Sequence, residues 1–183
     1  MTGPGQVAAD LAVFAESDRL AAIDRAGLGA RPDPWFDSMA RIVTRVLQTP
    51  VALVTMVLPD RQVFPGLAGL PEPWAVTRQT SLEESFCKDV VLDGALVVAD
   101  ARIYAKVRDS RAIADLGVVA YAGLPLTDLD GRTLGALCAI DTSARAWSRG
   151  ELRDLGDLAV ACTAELRLRI LLAVDGDPLR PGG

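Results

Sequence analysis

The sequence predicts an α+β fold in which helices cover both faces of an antiparallel β-sheet. Amphipathic helical patterns lie near both ends of the chain, at residues 9–26 and 149–172. Two β-hairpins are indicated between them, one starting with the continuously apolar run VALVTMVL at residues 51–58 and one covering residues 121–141. The segment between the hairpins predicts one helix, a brief strand and a short helix. This order of elements is typical of an α+β domain.

Composition limits the functional classes. The 183 residues are 50% hydrophobic and 23% charged, which suits one globular domain with a substantial core. A net charge of −5, with the basic residues dispersed among acidic ones, argues against a nucleic-acid-binding surface. No apolar run reaches the roughly 18 residues of a membrane span, and the N-terminus lacks a signal-peptide pattern. We therefore expect a cytoplasmic protein.

Histidine is absent from the chain, which removes the commonest general base and the commonest metal ligand. A Ser-His-Asp triad, a Cys-His pair and a histidine-ligated haem are thereby excluded. The cysteines, Cys87, Cys138 and Cys162, are odd in number and widely spaced, so they form neither a CxxC pair nor a disulfide framework. We expect no metal site, no catalytic residue and a reducing compartment.

The N-terminal part of the chain predicts two helices. Residues 1–7 are rich in Gly and Pro, and we expect them to form a flexible tail before a single domain at residues 8–172. The helix at residues 9–26 has a narrow apolar stripe, which suits a partner as well as the domain's own core. Asp33 and Pro34 are the N-cap and first residue expected of the second helix, which ends before the first hairpin.

The middle of the chain predicts the first hairpin, a loop and a helix. After the strand at residues 51–58, we expect its partner strand around residues 62–64. Residues 65–80 are rich in Pro and Gly and predict a long loop, a feature that is more often functional than idle in a compact domain. Either Ser81 or Ser85 is expected to cap the helix that follows.

We expect that helix to end at Gly94. Residues 96–100 then predict a brief strand, and residues 110–116 predict a short helix. In the second hairpin the turn is built on Asp130 and Gly131, because glycine readily accepts a positive φ.

The C-terminal helix begins with a capping box formed by Ser148 and Glu151. Its apolar residues fall on one face. They are Leu152, Leu155, Leu158, Ala159, Cys162, Leu166 and Ile170. Residues 173–183, again rich in Gly and Pro, are expected to form a second flexible tail.

Several short motifs, taken in this order, resemble the GAF domains of bacterial signalling proteins. They are Ser85-Phe86-Cys87, Gly94, residues 96–101, residues 121–126, Asp130-Gly131, residues 134–141, Trp147 and residues 151–159. The resemblance covers about residues 16–170, which is nearly the whole predicted domain.

This resemblance implies a PAS-related antiparallel sheet of five or six strands. The first and last helices would pack on one face, and the middle helices and loops would enclose a small-molecule pocket on the other. It also implies a non-catalytic sensory role, in which the ligand biases an output domain (a kinase, cyclase or phosphatase) that these residues do not include. The terminal helices would form a homodimer and transmit the ligand state.

The ligand itself is unknown. Cyclic-nucleotide-binding GAF domains carry an Asn-Lys-x-Asp-Glu run, and this sequence has none. A small organic acid or a mixed apolar metabolite fits the candidate residues best.

Cys87 has three interpretations. Beside Lys88 and near a helix start, it suits a redox-active thiol of the kind used by GAF-type free methionine-R-sulfoxide reductases. Those enzymes hold their catalytic cysteine in the loop before the second hairpin, and residues 108–119 contain no cysteine. Covalent bilin attachment is the second interpretation, but the usual neighbouring histidine is missing. The third, which we favour, is packing or pocket lining with Val90 and Val91.

The expected pocket lies between the Cys87 helix, residues 101–118 and the sheet. Its candidate ligand-binding residues are Cys87, Arg102, Tyr104, Arg108, Tyr121, Trp74 and Phe64. An arginine there suits a carboxylate or phosphate, although pairing with nearby aspartates on the surface is the alternative. The aromatic residues would close the pocket as a lid or simply pack in the core.

The resemblance therefore implies a small-molecule-sensing domain that transmits its state through the terminal helices of a dimer. Two alternatives remain: a cysteine-dependent reductase acting through Cys87, and a ligand-free dimerisation module.

Overall fold

The computed structural model describes residues 4–175, which form seven α-helices, six β-strands and one 3-10 helix. The α-helices are α1 (Pro4–Phe14), α2 (Ser17–Arg25), α3 (Pro34–Leu47), α4 (Trp74–Thr77), α5 (Cys87–Asp93), α6 (Arg111–Leu116) and α7 (Arg149–Asp175). The strands are β1 (Val51–Val57), β2 (Arg61–Ala68), β3 (Gln79–Ser81), β4 (Leu96–Val98), β5 (Ala120–Thr127) and β6 (Thr133–Asp141), and the 3-10 helix is Leu82–Glu84.

The strands form one antiparallel sheet in the order β3-β2-β1-β6-β5-β4. The two predicted hairpins are β1-β2 and β5-β6, and they join along β1 and β6 at the centre. There Val51 pairs with Ile140 and Met56 pairs with Gly135. The predicted α+β class with an antiparallel sheet is confirmed, and the sheet has six strands.

Helices α2, α3 and α7 cover one face of the sheet, called here the α3/α7 face. Asp33 caps α3 as predicted, because its carboxylate accepts hydrogen bonds from the backbone NH groups of Trp35 and Phe36. The same carboxylate pairs with Arg169 of α7, whose guanidinium lies 4.9 Å from the ring centre of Phe36. One aspartate thus starts α3 and holds α7 beside it.

Helices α5 and α6 cover the opposite face, called here the α5/α6 face. Its buried core includes Phe64, Phe86, Cys87, Tyr121 and Cys138. Gly94 ends α5 as predicted, with φ +89°. The Ser85 hydroxyl accepts a hydrogen bond from the backbone NH of Lys88, whereas Ser81 forms a capping box on the 3-10 helix.

The single helix predicted at residues 9–26 is wrong, because the chain turns at residues 15–16 between α1 and α2. The cause is Arg19, whose side chain is buried and donates hydrogen bonds to the carbonyl oxygens of Phe14, Val57, Thr133 and Leu134. The first helix therefore does not pack entirely with the last one. Only α2 lies on the α3/α7 face, and α1 reaches the α5/α6 face through Phe14.

Burial lowers the pKa of Arg19 to about 10, so the guanidinium stays charged at neutral pH. Glu16 is the carboxylate that acts on it through space, and Glu16 itself pairs with Arg132 at 3.2 Å. The charge of Arg19 is therefore balanced chiefly by carbonyl dipoles, which is an unusual arrangement for a buried cation. It ties the start of α2 to the ends of the two central strands.

Three other boundaries differ from the predictions. Residues 65–80 are not one loop, because they contain the end of β2, helix α4 and most of β3. The predicted tail at residues 1–7 overlaps α1, and the tail at residues 173–183 overlaps α7 as far as Asp175. The rest of both predicted tails lies outside the described residues. Within residues 4–175, no helix is both long and apolar enough to cross a membrane.

Candidate functional site

A small internal cavity lies between α5, α6 and the sheet, where the resemblance places a ligand. Its volume is about 30 Å³, which is room for one or two water molecules. Most of its lining is apolar or aromatic and includes Phe64, Phe86, Cys87, Leu116, Tyr121 and Ile140. Side chains of this domain therefore occupy most of the expected ligand position.

Tyr121 fills much of that space. Its side chain is 1% exposed and packs edge-on against Phe86, with 5.4 Å between the ring centres. The ring also crosses Gly123, where an added Cβ would lie 2.2 Å from the tyrosine hydroxyl oxygen. Burial raises the pKa of Tyr121 well above its ordinary value of 10, so the phenol stays protonated.

Two cysteine thiols meet beside Tyr121. Cys87 is the first residue of α5, and its Sγ lies 3.2 Å from the Tyr121 hydroxyl oxygen and 3.9 Å from the Sγ of Cys138 on β6. The hydrogen bond with Cys138 lowers the pKa of Cys87, and the same hydrogen bond together with burial raises that of Cys138. Cys87 is therefore the more acidic thiol of the pair.

The third cysteine stands apart. Cys162 is buried on the α3/α7 face, where burial alone raises its pKa to about 12. It packs like an apolar residue, in line with its position on the apolar stripe of α7.

Gln62 lines the internal cavity, and its amide is satisfied by two neighbouring hydroxyl groups. The Gln62 amide donates to the Thr80 hydroxyl oxygen at 2.7 Å and accepts from the Ser85 hydroxyl at 2.7 Å. All three residues are buried. Because their hydrogen-bonding groups already have partners, they stabilise the domain and offer little to a ligand.

A much larger groove lies outside α5, beneath α1. Its volume is about 730 Å³, and its walls are α1, the segment from the 3-10 helix to α5, and residues 105–111. Apolar lining comes from Leu11, Phe14, Leu82, Leu92, Ala105 and Val107. Charged lining comes from Asp10, Glu83, Lys88, Asp89, Lys106, Asp109 and Arg111. The groove has the size and the mixed lining of a small-molecule site.

The cations of the groove differ in how they are paired. Lys106 lies 2.7 Å from Asp93 and 3.8 Å from Asp89. Arg111 pairs with Glu83 at 3.5 Å and with Asp115 at 3.0 Å. Burial raises the pKa of Asp89, a shift that the charge of Lys106 opposes.

Lys88 is the exception among these cations. Across residues 4–175 the salt bridges within 4.0 Å do not involve Lys88, although its charge is felt by Asp89. Lys88 is half-buried and lines the groove.

The sequence-predicted site residues lie in three separate places. Phe64, Cys87 and Tyr121 meet at the internal cavity. Trp74 instead lines a shallow depression of about 320 Å³ beside Arg61 and Glu84.

The three residues predicted on the loop after β4 do not line the internal cavity or the groove. Arg102 is held by Asp100 through hydrogen bonds of 2.7 and 2.9 Å, and Arg108 is 3.8 Å from Asp109. Tyr104 is 43% exposed. This is the surface pairing that the sequence left open as the alternative.

Sequence reasoning missed the groove because one wall is α1. The position of α1 depends on the hydrogen bonds from the Arg19 side chain to backbone carbonyl oxygens, called here the Arg19 clamp. They join residues more than a hundred positions apart in sequence. The sequence shows that Lys88 follows Cys87, and Lys88 was considered only for its effect on that thiol. Within the described residues, no group of three or more His, Cys, Asp or Glu side chains is arranged to hold a metal ion.

Comparison with known proteins identifies relatives. A sequence model of the GAF domain matches residues 32–166. A cyclic di-GMP phosphodiesterase of Pseudomonas aeruginosa is 36% identical over 135 residues, which cover 71% of this chain. This chain spans 22% of that relative's length.

Solved structures share the fold at low sequence identity. The blue-light-absorbing form of the PixJ GAF domain from Thermosynechococcus elongatus superposes with a TM-score of 0.62 and 16% identity, covering 90% of this chain and 96% of that one. A free methionine-R-sulfoxide reductase from Neisseria meningitidis gives 0.57 and 15%, covering 96% of each chain. Likeness at these identities establishes the fold alone.

Proposed function

This chain belongs to the GAF domain family, and on that premise we propose that it is a non-catalytic sensory domain that binds a small organic acid in the groove beneath α1. Its relatives include signal-transduction proteins. The observation that carries the proposal is the composition of the groove, which the N-terminal helix and the α5 segment line together. A molecule bound there would contact both α5 and a terminal helix.

We infer a small organic acid as the ligand because the groove combines the cation of Lys88 with the apolar side chains of Phe14 and Leu82. Lys106 and Arg111 already have carboxylate partners, whereas none of the salt bridges within 4.0 Å among the described residues involves Lys88, which also lines the groove. A carboxylate on the ligand would pair with Lys88, and an apolar portion would lie on Phe14 and Leu82. The other acidic side chains of the lining disfavour a ligand with several negative charges, such as a nucleoside triphosphate.

The effect of ligand binding would be transmitted to the rest of the domain through α1 and α2. Among the described side chains of α1, Leu11 and Val13 are exposed apolar residues and Phe14 is buried. A ligand that favours one position of α1 would shift the population of that position. Arg19 joins the α1–α2 turn to β1 and β6, so the shift would be passed to the rest of the domain.

The terminal helices would also form the dimer. Helix α7 exposes Val160, Leu168, Leu171 and Leu172, with exposed fractions between 48% and 70%. At about 3.6 residues per turn these four side chains lie within roughly a third of the helix circumference. They form a stripe on α7 that is distinct from the buried stripe through Leu155, Leu166 and Ile170, and a second copy of the domain would cover it.

The output would be an enzyme of cyclic-dinucleotide turnover, either in the same polypeptide or in a partner. The support is the relative that hydrolyses cyclic di-GMP, of which the matching region is a minor part. The reductase alternative needs an accessible catalytic thiol. Cys87 is 3% exposed and lies beneath aromatic side chains, so the geometry favours a regulatory role over turnover of methionine sulfoxide.

The test is a thermal-shift and calorimetric screen of small mono- and dicarboxylic acids and amino acids, preceded by native mass spectrometry of the purified protein. We expect a ligand that raises the melting temperature and binds in a one-to-one ratio. Lys88→Gln should weaken binding at least about tenfold, the value of one charge-assisted hydrogen bond.

The matched control is Arg102→Gln, which removes the same charge from an exposed position outside the groove. It should leave affinity unchanged. If Arg102→Gln abolished binding and Lys88→Gln did not, the ligand would sit at the loop predicted from the sequence, and the groove proposal would be wrong.

A further inference from the structure

We propose that Cys87 and Cys138 form a reversible intramolecular disulfide, making this pair an oxidation site for small peroxides. The two Sγ atoms are already 3.9 Å apart, and a disulfide bond is about 2.05 Å long. Cys87 begins α5 and Cys138 lies on the central strand β6. A bond between them would tie the wall of the groove to the middle of the sheet.

The environment distinguishes the two sulfurs. The Tyr121 hydroxyl oxygen lies 3.2 Å from the Cys87 Sγ, within hydrogen-bonding distance. Because a thiolate can only accept, the tyrosine would donate to Cys87 once that thiol is deprotonated, and so stabilise its charge. Cys87 also lines the internal cavity of about 30 Å³, whereas Cys138 does not. Cys87 is therefore the sulfur that meets the oxidant, and Cys138 is the sulfur that resolves the product.

The chemistry balances with hydrogen peroxide as the oxidant. The Cys87 thiolate attacks one peroxide oxygen, the O–O bond breaks, and the other oxygen leaves as hydroxide, which takes a proton to become water. Cys138 then attacks the Cys87 sulfenic acid, so that the S–S bond forms and the S–O bond breaks. The proton of Cys138 leaves with that oxygen as a second water. Two thiols lose two electrons in total, and one peroxide gains them.

Cavity size sets the oxidant selectivity. A space of about 30 Å³ suits a molecule of the size of water or hydrogen peroxide. Glutathione disulfide cannot reach the Cys87 Sγ without opening α5, and the surrounding core includes Phe64, Phe86 and Tyr121. The pair should therefore respond to hydrogen peroxide much faster than to a bulky disulfide.

Oxidation would also change the groove, and this part of the inference rests on the proposed function. Closing the sulfur–sulfur gap by about 2 Å draws the first turn of α5 toward β6. Lys88 and Asp89, the next two residues, line the groove and must follow. The oxidised protein should bind its ligand with altered affinity.

The experiment uses the whole chain, treated with a small excess of hydrogen peroxide and then with an alkylating agent under denaturing conditions. Before alkylation we expect the intact mass to fall by two hydrogens and to recover with dithiothreitol. After alkylation the oxidised chain should carry one alkyl group, on Cys162, and the reduced chain should carry three. Non-reducing peptide mapping should identify a Cys87–Cys138 cross-link. The wild type alone gives this result, so it does not depend on a variant that folds poorly.

Variants sharpen the test. Cys162→Ser removes a buried thiol on the other face and should still form the cross-link. Cys138→Ser should instead hold Cys87 at the sulfenic acid, detected by a dimedone adduct. Circular dichroism checks that each variant is folded.

Three results would overturn the proposal. The first is a cross-link that includes Cys162, and the second is oxidation of the thiols without any cross-link. The third is an unchanged intact mass of the folded protein under conditions that oxidise the chain in urea. A cross-link that forms while the ligand affinity stays constant would keep the disulfide and reject only its connection to the groove.

Discussion

The guanidinium of Arg19 donates a hydrogen bond of 2.7 Å to the carbonyl oxygen of Leu134, joining α2 to the first residues of β6 across 115 positions of sequence. The same side chain also reaches Val57, at the end of β1. A buried cation that holds carbonyl oxygens on two central strands fixes where the N-terminal helices leave the sheet. The position of α1, and with it the groove, depends on this residue.

Replacing Arg19 with leucine should lower the free energy of unfolding by about 3 kcal/mol, because several buried carbonyl oxygens lose their donor together. Urea denaturation measures the loss. Relative to the wild type, the variant should also show a larger increase in the rate of amide hydrogen exchange in α1 than in α3. Arg25→Leu, at the exposed end of α2, is the control and should change stability by less than about 0.5 kcal/mol. Equal losses in the two variants would refute the clamp.

Gly66 allows α3 to pack directly on β2. A Cβ added there would lie 2.6 Å from the Phe36 carbonyl oxygen and 2.9 Å from its Cβ. Gly66→Ala should therefore destabilise the domain by about 2 kcal/mol through overpacking. At Gly29 an added Cβ meets nothing within 4 Å, so Gly29→Ala is the matched control and should be neutral or slightly stabilising. Thermal and urea unfolding of both variants test the difference.

Asp33 should make the domain sensitive to acid. Burial alone would raise its pKa, but hydrogen bonds from Arg169 and from the first turn of α3 lower that pKa below 3.8. An acid whose pKa is lower in the folded state stabilises the fold above its unfolded pKa. That contribution is lost as the pH falls through the folded value.

The variant Asp33→Asn retains a capping side chain but cannot titrate. It should be less stable than the wild type by about 1 kcal/mol near neutral pH, and the difference should shrink below pH 3.8. The control Asp157→Asn removes an exposed carboxylate of α7 and should leave the pH profile unchanged. A constant gap between Asp33→Asn and the wild type at all pH values would contradict the assignment.

Local signals in the sequence were sufficient for much of the fold. Asp33 before Pro34 predicts the start of α3 because an N-cap is satisfied within its own first turn. Ser148 and Glu151 form the predicted capping box for the same reason. These interactions join residues at most three positions apart, so no tertiary structure is needed to infer them.

The break between α1 and α2 is different, because its cause lies in contacts of Arg19 with distant strands. The groove depends on that break and was missed with it. Arg102 is a case in which a local partner bears on the expectation. It was placed in a pocket by analogy with the family, whereas a carboxylate two residues away, Asp100, satisfies it at the surface.

The apolar stripe of α7 gives the clearest test of assembly. Leu168 and Leu172 are 49% and 60% exposed, and burying them in a dimer would stabilise it by about 1 kcal/mol or more per side chain. We expect sedimentation at micromolar concentration to give twice the chain mass of 19.3 kDa. Leu168→Glu should shift the population to the monomer, because two copies of the stripe would each bring a charge into an apolar contact.

Ile103→Glu is the matched control for this stripe, since Ile103 is 79% exposed on a loop far from α7 in sequence. It introduces the same charge at another exposed apolar residue and should remain dimeric. A wild type that sediments only as a monomer would reject the dimer. A dimer that survives Leu168→Glu but dissociates with Ile103→Glu would move the interface to the loop after β4, and α7 could not then be the helix that transmits the ligand state.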